Sequence, residues 1–330
     1  MESIILHLKK SKSVLIASHE NPDGDAIGSL LATGLALQSI GKKTFLYNLS
    51  KIPVVYRFLP KVNAIARDID EFEGFDAAII LDCGDLSRVG HLAPRLLQLP
   101  VIINIDHHET NTHFGHLQFV DTMACATAEI IYHLIRKMKI SLNKDIATAL
   151  YAGILTDTGS FRFSNTNQNA FAICKDLVAY GVEPYRVAQY VYGTYSLGRI
   201  KLLNLALDSI EIFQNGLLSI MTVTQKMLSK TRTHTEDVDG LINYARRIED
   251  VKVAALIHEL EECHSYKDKI RRFHVSLRSD GSLNVAQIAA QFGGGGHSSA
   301  AGFSIDSNLA DLKSKINAST HKLMAPCILN

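Results

Sequence analysis

Ser13-Val14-Leu15-Ile16-Ala17-Ser18-His19-Glu20-Asn21-Pro22-Asp23-Gly24-Asp25 sets the pattern that decides the fold. The β-branched apolar run Ser13 to Ser18 reads as a buried strand, Glu20 to Asp25 as a loop, and Ala26 to Ile40 as a helix stopped by Gly41. A second strand follows at Lys43 to Tyr47. Asp76 to Leu81 and Val101 to Ile105 are two more near-continuous apolar runs, the kind that helices cover on both faces. This alternation predicts a parallel α/β sheet. Polar residues cluster after each strand, and in open α/β sheets the ligand crevice lies outside the carboxyl ends of the strands.

The rest of the chain changes character. From about Gly181 to Leu207 the text is helical and rich in tyrosine, with a spacing that favours packed helical faces over base stacking. Beyond it, Leu217 to Val223 and Arg271 to Arg278 read as strands, and Val238 to Arg247 and Leu283 to Phe292 as helices. The expected organisation is an α/β domain over 1–185, a helical linker over 186–207 and a smaller α+β domain over 208–330.

Composition narrows the function. With 47% hydrophobic residues and 7 prolines in 330 residues, the chain suits packed cores rather than a disordered or fibrous protein. The formal net charge of +1 argues against a general polyanion binder, so any nucleic-acid contact should be local. Five cysteines, odd in number and never in a C-x-x-C pair, fit reduced thiols in the cytoplasm rather than disulfides or thiolate zinc. The start, Met1-Glu2-Ser3-Ile4-Ile5, does not read as a secretory signal, and no stretch approaches the roughly 18 apolar residues of a membrane span.

His19 to Asp25 places an imidazole and three acids in one turn. Taken alone it reads equally as a turn, with Asp25 as a helix N-cap, and as a site. Other strand ends supply matching groups: Asp82 with Asp85, Asp106-His107-His108, and Asp157 in Thr156-Asp157-Thr158-Gly159. Carboxylates converging on one crevice repel each other unless cations neutralise them. Carboxylate with imidazole and no thiolate suits two divalent ions, manganese first, with magnesium or iron(II) as the other candidates. Cys83, next to Asp82 on its strand, should point to the opposite face and into the core. Isolated histidines such as His258 and His264 read as surface or satisfied polar residues. In the second half, Gln291-Phe292-Gly293-Gly294-Gly295-Gly296-His297 offers backbone N–H groups that can approach an anion closely. His297 and Arg278 are the donors placed to assist.

Together these residues resemble the DHH phosphoesterase superfamily. The motifs run His19 to Ser29, around Asp82, Asp106-His107-His108-Glu109-Thr110-Asn111, and Thr156-Asp157-Thr158. Gly293 to His297 resembles the glycine-rich motif of the DHH-associated C-terminal domain. Gly240-Leu241-Ile242-Asn243-Tyr244 and Ser276-Leu277-Arg278-Ser279 look most like the bifunctional oligoribonucleases that also dephosphorylate 3′-phosphoadenosine 5′-phosphate (pAp).

The resemblance implies that His19, Asp23 and Asp82 hold one manganese ion and Asp25, Asp82, His107 and Asp157 the other. Asp106 would orient an imidazole and His108 would face the substrate phosphate. Arg278, Gly294, Gly295, Gly296 and His297 would seat the distal phosphate or nucleotide end. The expected substrates are very short RNA oligonucleotides and pAp, with no membrane partner and with a homodimer left open. Hydrolysis of cyclic di-AMP or pApA is the alternative within this chemistry, and a non-catalytic nucleotide or RNA sensor is the alternative outside it.

Overall fold

The computed structural model describes residues 1–330 except 70, 71, 73, 194, 262–269 and 325–330. The readings of Cys263, His264 and Cys327 therefore fall outside the described residues. The chain divides into two compact units, Met1–Thr194 and Tyr195–Asn330.

The first unit runs α1 (Glu2–Lys10), β1 (Ser13–Ser18), α2 (Gly24–Ser39), β2 (Lys43–Tyr47), β3 (Ile65–Ala66), β4 (Ala77–Leu81), α3 (Ala93–Leu96), β5 (Ile102–Asp106), β6 (Leu117–Val120), α4 (Thr127–Lys137), α5 (Lys144–Asp157), α6 (Gln168–Ala179) and α7 (Pro184–Tyr192). Its strands form one sheet in the order β3-β2-β1-β4-β5-β6, and every pairing is parallel. The strand order reverses between β1 and β4. That is the switch point at whose carboxyl end a doubly wound sheet opens a crevice.

Alternation along the strands sends side chains to two cores. Val14, Ile16, Ile79, Leu81, Ile103 and Ile105 pack with α1, α2, α4 and α5. Leu15, Ala17, Ala78, Ile80 and Ile102 pack on the other face, with Leu92 and Leu96. Cys83 belongs to this second core, as its place beside Asp82 predicted, and burial pushes its thiol up to about 12.

α2 is apolar nearly all round because it lies between the sheet and α5. The two helix backbones approach closely at Gly28. A Cβ there would overlap the carbonyl oxygen of Ala149 and lie 3.1 Å from the amide nitrogen of Gly153.

The second unit contains α8 (Leu197–Asp208), β7 (Glu211–Phe213), β8 (Leu218–Val223), α9 (Gln225–Thr231), α10 (Ile242–Arg246), β9 (Val253–Glu259), β10 (Arg271–Ser279), α11 (Ala286–Ala290), β11 (Gly295–Gly296), β12 (Ala300–Ser307) and α12 (Leu309–Met324). The sheet order is β11-β12-β10-β9-β8-β7, antiparallel except where β8 lies parallel to β9. α10 and α11 are shorter than their apolar patterns suggested; of the first pattern, Val238 ends a 3₁₀ turn at Thr235–Val238 instead of opening the helix. Among the described residues no helix is long and apolar enough to cross a membrane.

His258 departs from its expected surface or satisfied state. It is buried on β9, its Nε2 has no hydrogen-bond partner, and His274 stands opposite it on β10. Burial, with the neighbouring His274, pushes its imidazole down to about 4. The unfolded chain takes up this proton near pH 6.5 and the folded chain refuses it until about 4, so stability is present above that window and lost as pH falls through it. His258→Leu is expected to spare the second unit on the order of 3 kcal/mol of this loss. Denaturant midpoints at pH 7 and pH 4.5 measure it; an equal acid loss in both proteins would refute the assignment.

Candidate metal centre

β1, β4 and β5 deliver the three strand-end groups, and the facing helices deliver the rest. His19 follows β1, Asp82 follows β4, and His107 and His108 follow Asp106, the last residue of β5. Asp23 precedes α2, Asp25 lies in its first turn, and Asp157 ends α5. Three sets of donor atoms converge, each within 4.8 Å: His19, Asp23 and Asp82; Asp25, His107 and Asp157; and Asp82, His107 and His108. Asp82 and His107 each belong to two sets. Asp82 also adopts left-handed backbone, with φ of +53°, a conformation that aspartate tolerates better than most side chains.

Hydrogen bonding fixes the imidazole orientations. His19 Nδ1 lies 2.7 Å from the Glu20 carbonyl oxygen and His107 Nδ1 lies 3.3 Å from that of Ala124. A carbonyl only accepts, so each Nδ1 carries hydrogen and each Nε2 turns to the carboxylates. His19 Nε2 is 3.6 Å from Asp82 Oδ2. His107 Nε2 is 3.7 Å from Asp82 Oδ1, 3.7 Å from Asp157 Oδ2 and 4.0 Å from Asp25 Oδ2.

An imidazole lone pair facing three carboxylate oxygens is stable only with positive charge between them, whether a proton or a cation. The titration pattern expresses this demand. Burial opposes charge on His107, yet the carboxylates of Asp157, Asp82, Asp25 and Asp106 push it up to about 9. Burial pushes Asp157 up to about 7, with Asp23 and Asp82 adding to the rise. Burial raises Asp25 well above the usual carboxylate range, reinforced by Asp82 and Asp157. Asp82 is held well below that range: burial would raise it, but the His19 hydrogen bond and the charges of His108, His19 and His107 outweigh that. The donor set, hard oxygens and imidazole nitrogens in a concentrated negative field, fits divalent cations.

The residues around this centre are less visible in the sequence. Asp25 acts as a non-local cap for α4: its Oδ2 accepts from the Thr127 N–H at 2.6 Å and its Oδ1 from the Ala128 N–H at 2.9 Å. Ser29 Oγ donates to the same Oδ1. Thr127 Oγ1 donates to Asp82 Oδ1 at 3.0 Å, so one residue ties two of the acids. Asn165 Nδ2 donates to Asp157 Oδ2 at 3.0 Å.

Asp106 Oδ1 lies 2.7 Å from His108 Nδ1, and its Oδ2 accepts from Asn111 Nδ2, which also reaches Asn104. The imidazole that Asp106 orients is thus that of His108. Asp23, rather than Asp25, is the local cap of α2, its Oδ1 accepting from the N–H groups of Asp25 and Ala26. Asp85 does not join the donor sets; it caps the turn at Leu86–Val89 through Ser87.

In the second unit, Arg278 sits half-buried on β10 and its Nη1 donates to the Leu277 carbonyl oxygen. Gly295 and Gly296 form β11, and His297 opens the turn into β12. A Cβ at Gly294 would overlap the Gly302 carbonyl oxygen, and one at Gly296 would press on that of Ala300. Close approach to β12 therefore explains these two. Gly295 has neither a positive φ nor any atom within 4 Å of an added Cβ.

Comparison with known proteins agrees with this architecture. Residues 13–154 match the model of the DHH family, N-terminal domain, and residues 219–322 match that of the DHHA1 domain. The bifunctional oligoribonuclease and PAP phosphatase NrnA of Thermus thermophilus is 34% identical, over 88% of this chain and 83% of its own. The protein of the same name from Bacillus subtilis is 27% identical, over 91% of this chain and 94% of its own. The crystal structure of an exopolyphosphatase-related protein from Bacteroides fragilis covers all of this chain and 97% of its own with a TM-score of 0.89, a likeness of fold at 24% identity. The chain therefore belongs to the DHH family of phosphoesterases, with a DHHA1 domain in its second half.

Proposed function

We propose that this phosphoesterase hydrolyses very short oligoribonucleotides to 5′-mononucleotides and pAp to AMP and phosphate, using two divalent cations, manganese foremost. The observation that carries the reading is the ring of Asp25, Asp82 and Asp157 oxygens around His107 Nε2. The substrates follow from the names of the Thermus and Bacillus relatives, which this chain matches over most of both lengths.

His19, Asp23 and Asp82 would hold one cation, Asp25, His107 and Asp157 the other, and Asp82 would reach both. Bound divalent ions supply an activated water at neutral pH and neutralise phosphoryl charge. The chain's residues do the rest. Asp106 holds the imidazole of His108 by Nδ1 and, although burial opposes charge, its carboxylate favours the imidazolium, whose Nε2–H would donate to a phosphate oxygen. Asp82 and Asp157 are each held by a hydrogen bond, from Thr127 and Asn165, which orients their carboxylates toward the centre. Arg278 and His297 would take the distal phosphate through a guanidinium and an imidazole, beside Gly294, Gly295 and Gly296; the N–H groups of Gly294 and His297 already donate to the carbonyl oxygens of Ala289 and Ala300, which leaves Gly295 as the position to test.

The deciding experiment compares initial rates on pAp, a dinucleotide, a five-nucleotide RNA and cyclic di-AMP with manganese added. Turnover of pAp and the dinucleotide well above cyclic di-AMP is expected. Binding without release of mononucleotide or phosphate would replace the enzyme by a sensor.

Two substitutions probe the parts. Thr127→Val keeps the shape but removes the hydroxyl from Asp82, and manganese affinity should fall by about 10- to 100-fold, read by titration calorimetry. Gly295→Ala should leave the melting temperature unchanged and raise KM for pAp, whereas Gly294→Ala should destabilise the second unit. An unchanged KM in the first variant would remove Gly295 from the phosphate loop.

A further inference from the structure

The second unit has a recess that the phosphate-binding groups do not use. Tyr195, Arg199, Leu203, Gly240 and Tyr244 line a shallow, open recess between the first turn of α8 and the chain entering α10, whose enclosed part is only about 20 Å³. That is room for about one water, so a planar ring would lie across the open mouth, against the exposed tyrosine surface, rather than inside it. Arg199 lies flat over Tyr195, Cζ to ring centroid 4.2 Å, and its Nη2 donates to the Asp239 carbonyl oxygen at 2.6 Å. That hydrogen bond holds the guanidinium in place. Tyr195 and Tyr244 are 38% and 37% exposed, half-open π faces on a framework of buried Leu202, Leu241 and Ile242.

Charge selects the ligand. No carboxylate side chain lines the recess. Asp239, whose carbonyl holds Arg199, and Arg246 of α10 both act electrostatically on Arg278. The lining thus combines flat aromatic surface with one guanidinium, Arg199, with the Asp239 carboxylate one residue outside it, the chemistry that takes a base stacked on an aromatic ring. An apolar peptide side chain would gain nothing from this cation.

We propose that this recess, between Tyr195–Arg199 and Tyr244, is a stacking subsite for one nucleobase of the oligoribonucleotide substrate. The proposal rests on the reading of this chain as an oligoribonuclease, and it gives a role to Tyr195, one of the tyrosines that the sequence left to packing. Its chemistry tolerates any base, because every base offers a π face.

The chain has no tryptophan, so Tyr244→Trp places a single fluorophore in the recess. The full-length variant is titrated with a pentaadenylate whose phosphorothioate linkages resist hydrolysis, and with an abasic ribose-phosphate pentamer of equal charge. The expected result is quenching by the pentaadenylate and little by the abasic chain. Tyr244→Ala should weaken pentaadenylate binding by roughly 5- to 150-fold, the range of one base–aromatic stack, and Tyr244→Phe should restore it. Equal quenching by both pentamers, or unchanged binding by Tyr244→Ala, overturns the subsite. Quenching by a phenylalanine-rich peptide in place of RNA overturns it in favour of a protein partner. Hydrolysis of pAp by the parental enzyme tests the proposed function separately, since the fluorescence readout needs no turnover.

Discussion

Asp82→Ala is expected to lower hydrolysis of both pAp and dinucleotides by about 10³-fold or more. The side chain stands in two of the three donor sets, and metal-assisted charge stabilisation is worth several kcal/mol at about 1.4 kcal/mol per tenfold in rate. A readout independent of turnover accompanies it. A ligand at a hundred times its Kd stabilises the folded state by about 2.7 kcal/mol. For a unit of the size of Met1–Thr194 that corresponds to a rise in Tm of roughly 5–10 °C. Manganese should produce this rise in the parental protein and less than about 2 °C in the variant. Backbone strain gives a control: with φ at +53°, alanine at position 82 is less comfortable than asparagine, so Asp82→Asn should fold as the parent does and still lose the manganese response. Parental rates in the asparagine variant, or an undiminished thermal shift, would discard the shared-carboxylate scheme.

The strand-end groups were legible because their chemistry is local. His19 to Asp25 follows an apolar run, Asp82 and Asp106 follow two more, and a parallel sheet brings such ends together. β1, β4 and β5 were readable for the same reason, being continuous runs buried almost throughout, and β2 was read although half of it is less buried; the two-residue β3 was not read. β6, partly exposed, and β12, interrupted by Gly302, carry no such run and were not read as strands. Thr127 and Asn165 were invisible for a different cause. Each acts across the fold, Thr127 on Asp82 45 positions away, and a threonine before an apolar helix looks like any helix start. Even Asp25, which the sequence did single out, caps a helix 102 positions downstream instead of its own. The glycine run shows the limit from the other side: its residues suggested an anion nest, and the fold uses Gly294 and Gly296 for contact with β12. Composition reveals that glycine is needed, but not which neighbour needs it.

Gly28→Ala should damage the first unit more than its size suggests, and the metal centre with it. An alanine methyl at position 28 would overlap the Ala149 carbonyl oxygen and crowd the backbone at Gly153, and a helix backbone cannot turn aside as a side chain can. Overpacking of this kind costs about 1–3 kcal/mol, and a rigid neighbour places it at the upper end. Alanine returns about 1 kcal/mol of helix propensity, leaving a net loss of about 2 kcal/mol and a Tm lower by roughly 4–8 °C. Gly34→Ala is the matched control on the same helix, because its methyl would meet the movable end of Leu46, and it should come out near neutral. The consequence reaches the site, since α2 carries Asp25 and α5 carries Asp157, on either side of His107 Nε2. Pushing the helices apart at Gly28 should therefore weaken manganese binding by about tenfold or more, whereas an equally destabilising change elsewhere in the core, such as Leu96→Ala in the opposite face, should not. If Gly28→Ala and Leu96→Ala bind manganese alike, the close approach of α2 and α5 serves stability alone and does not set the distance between the two acids.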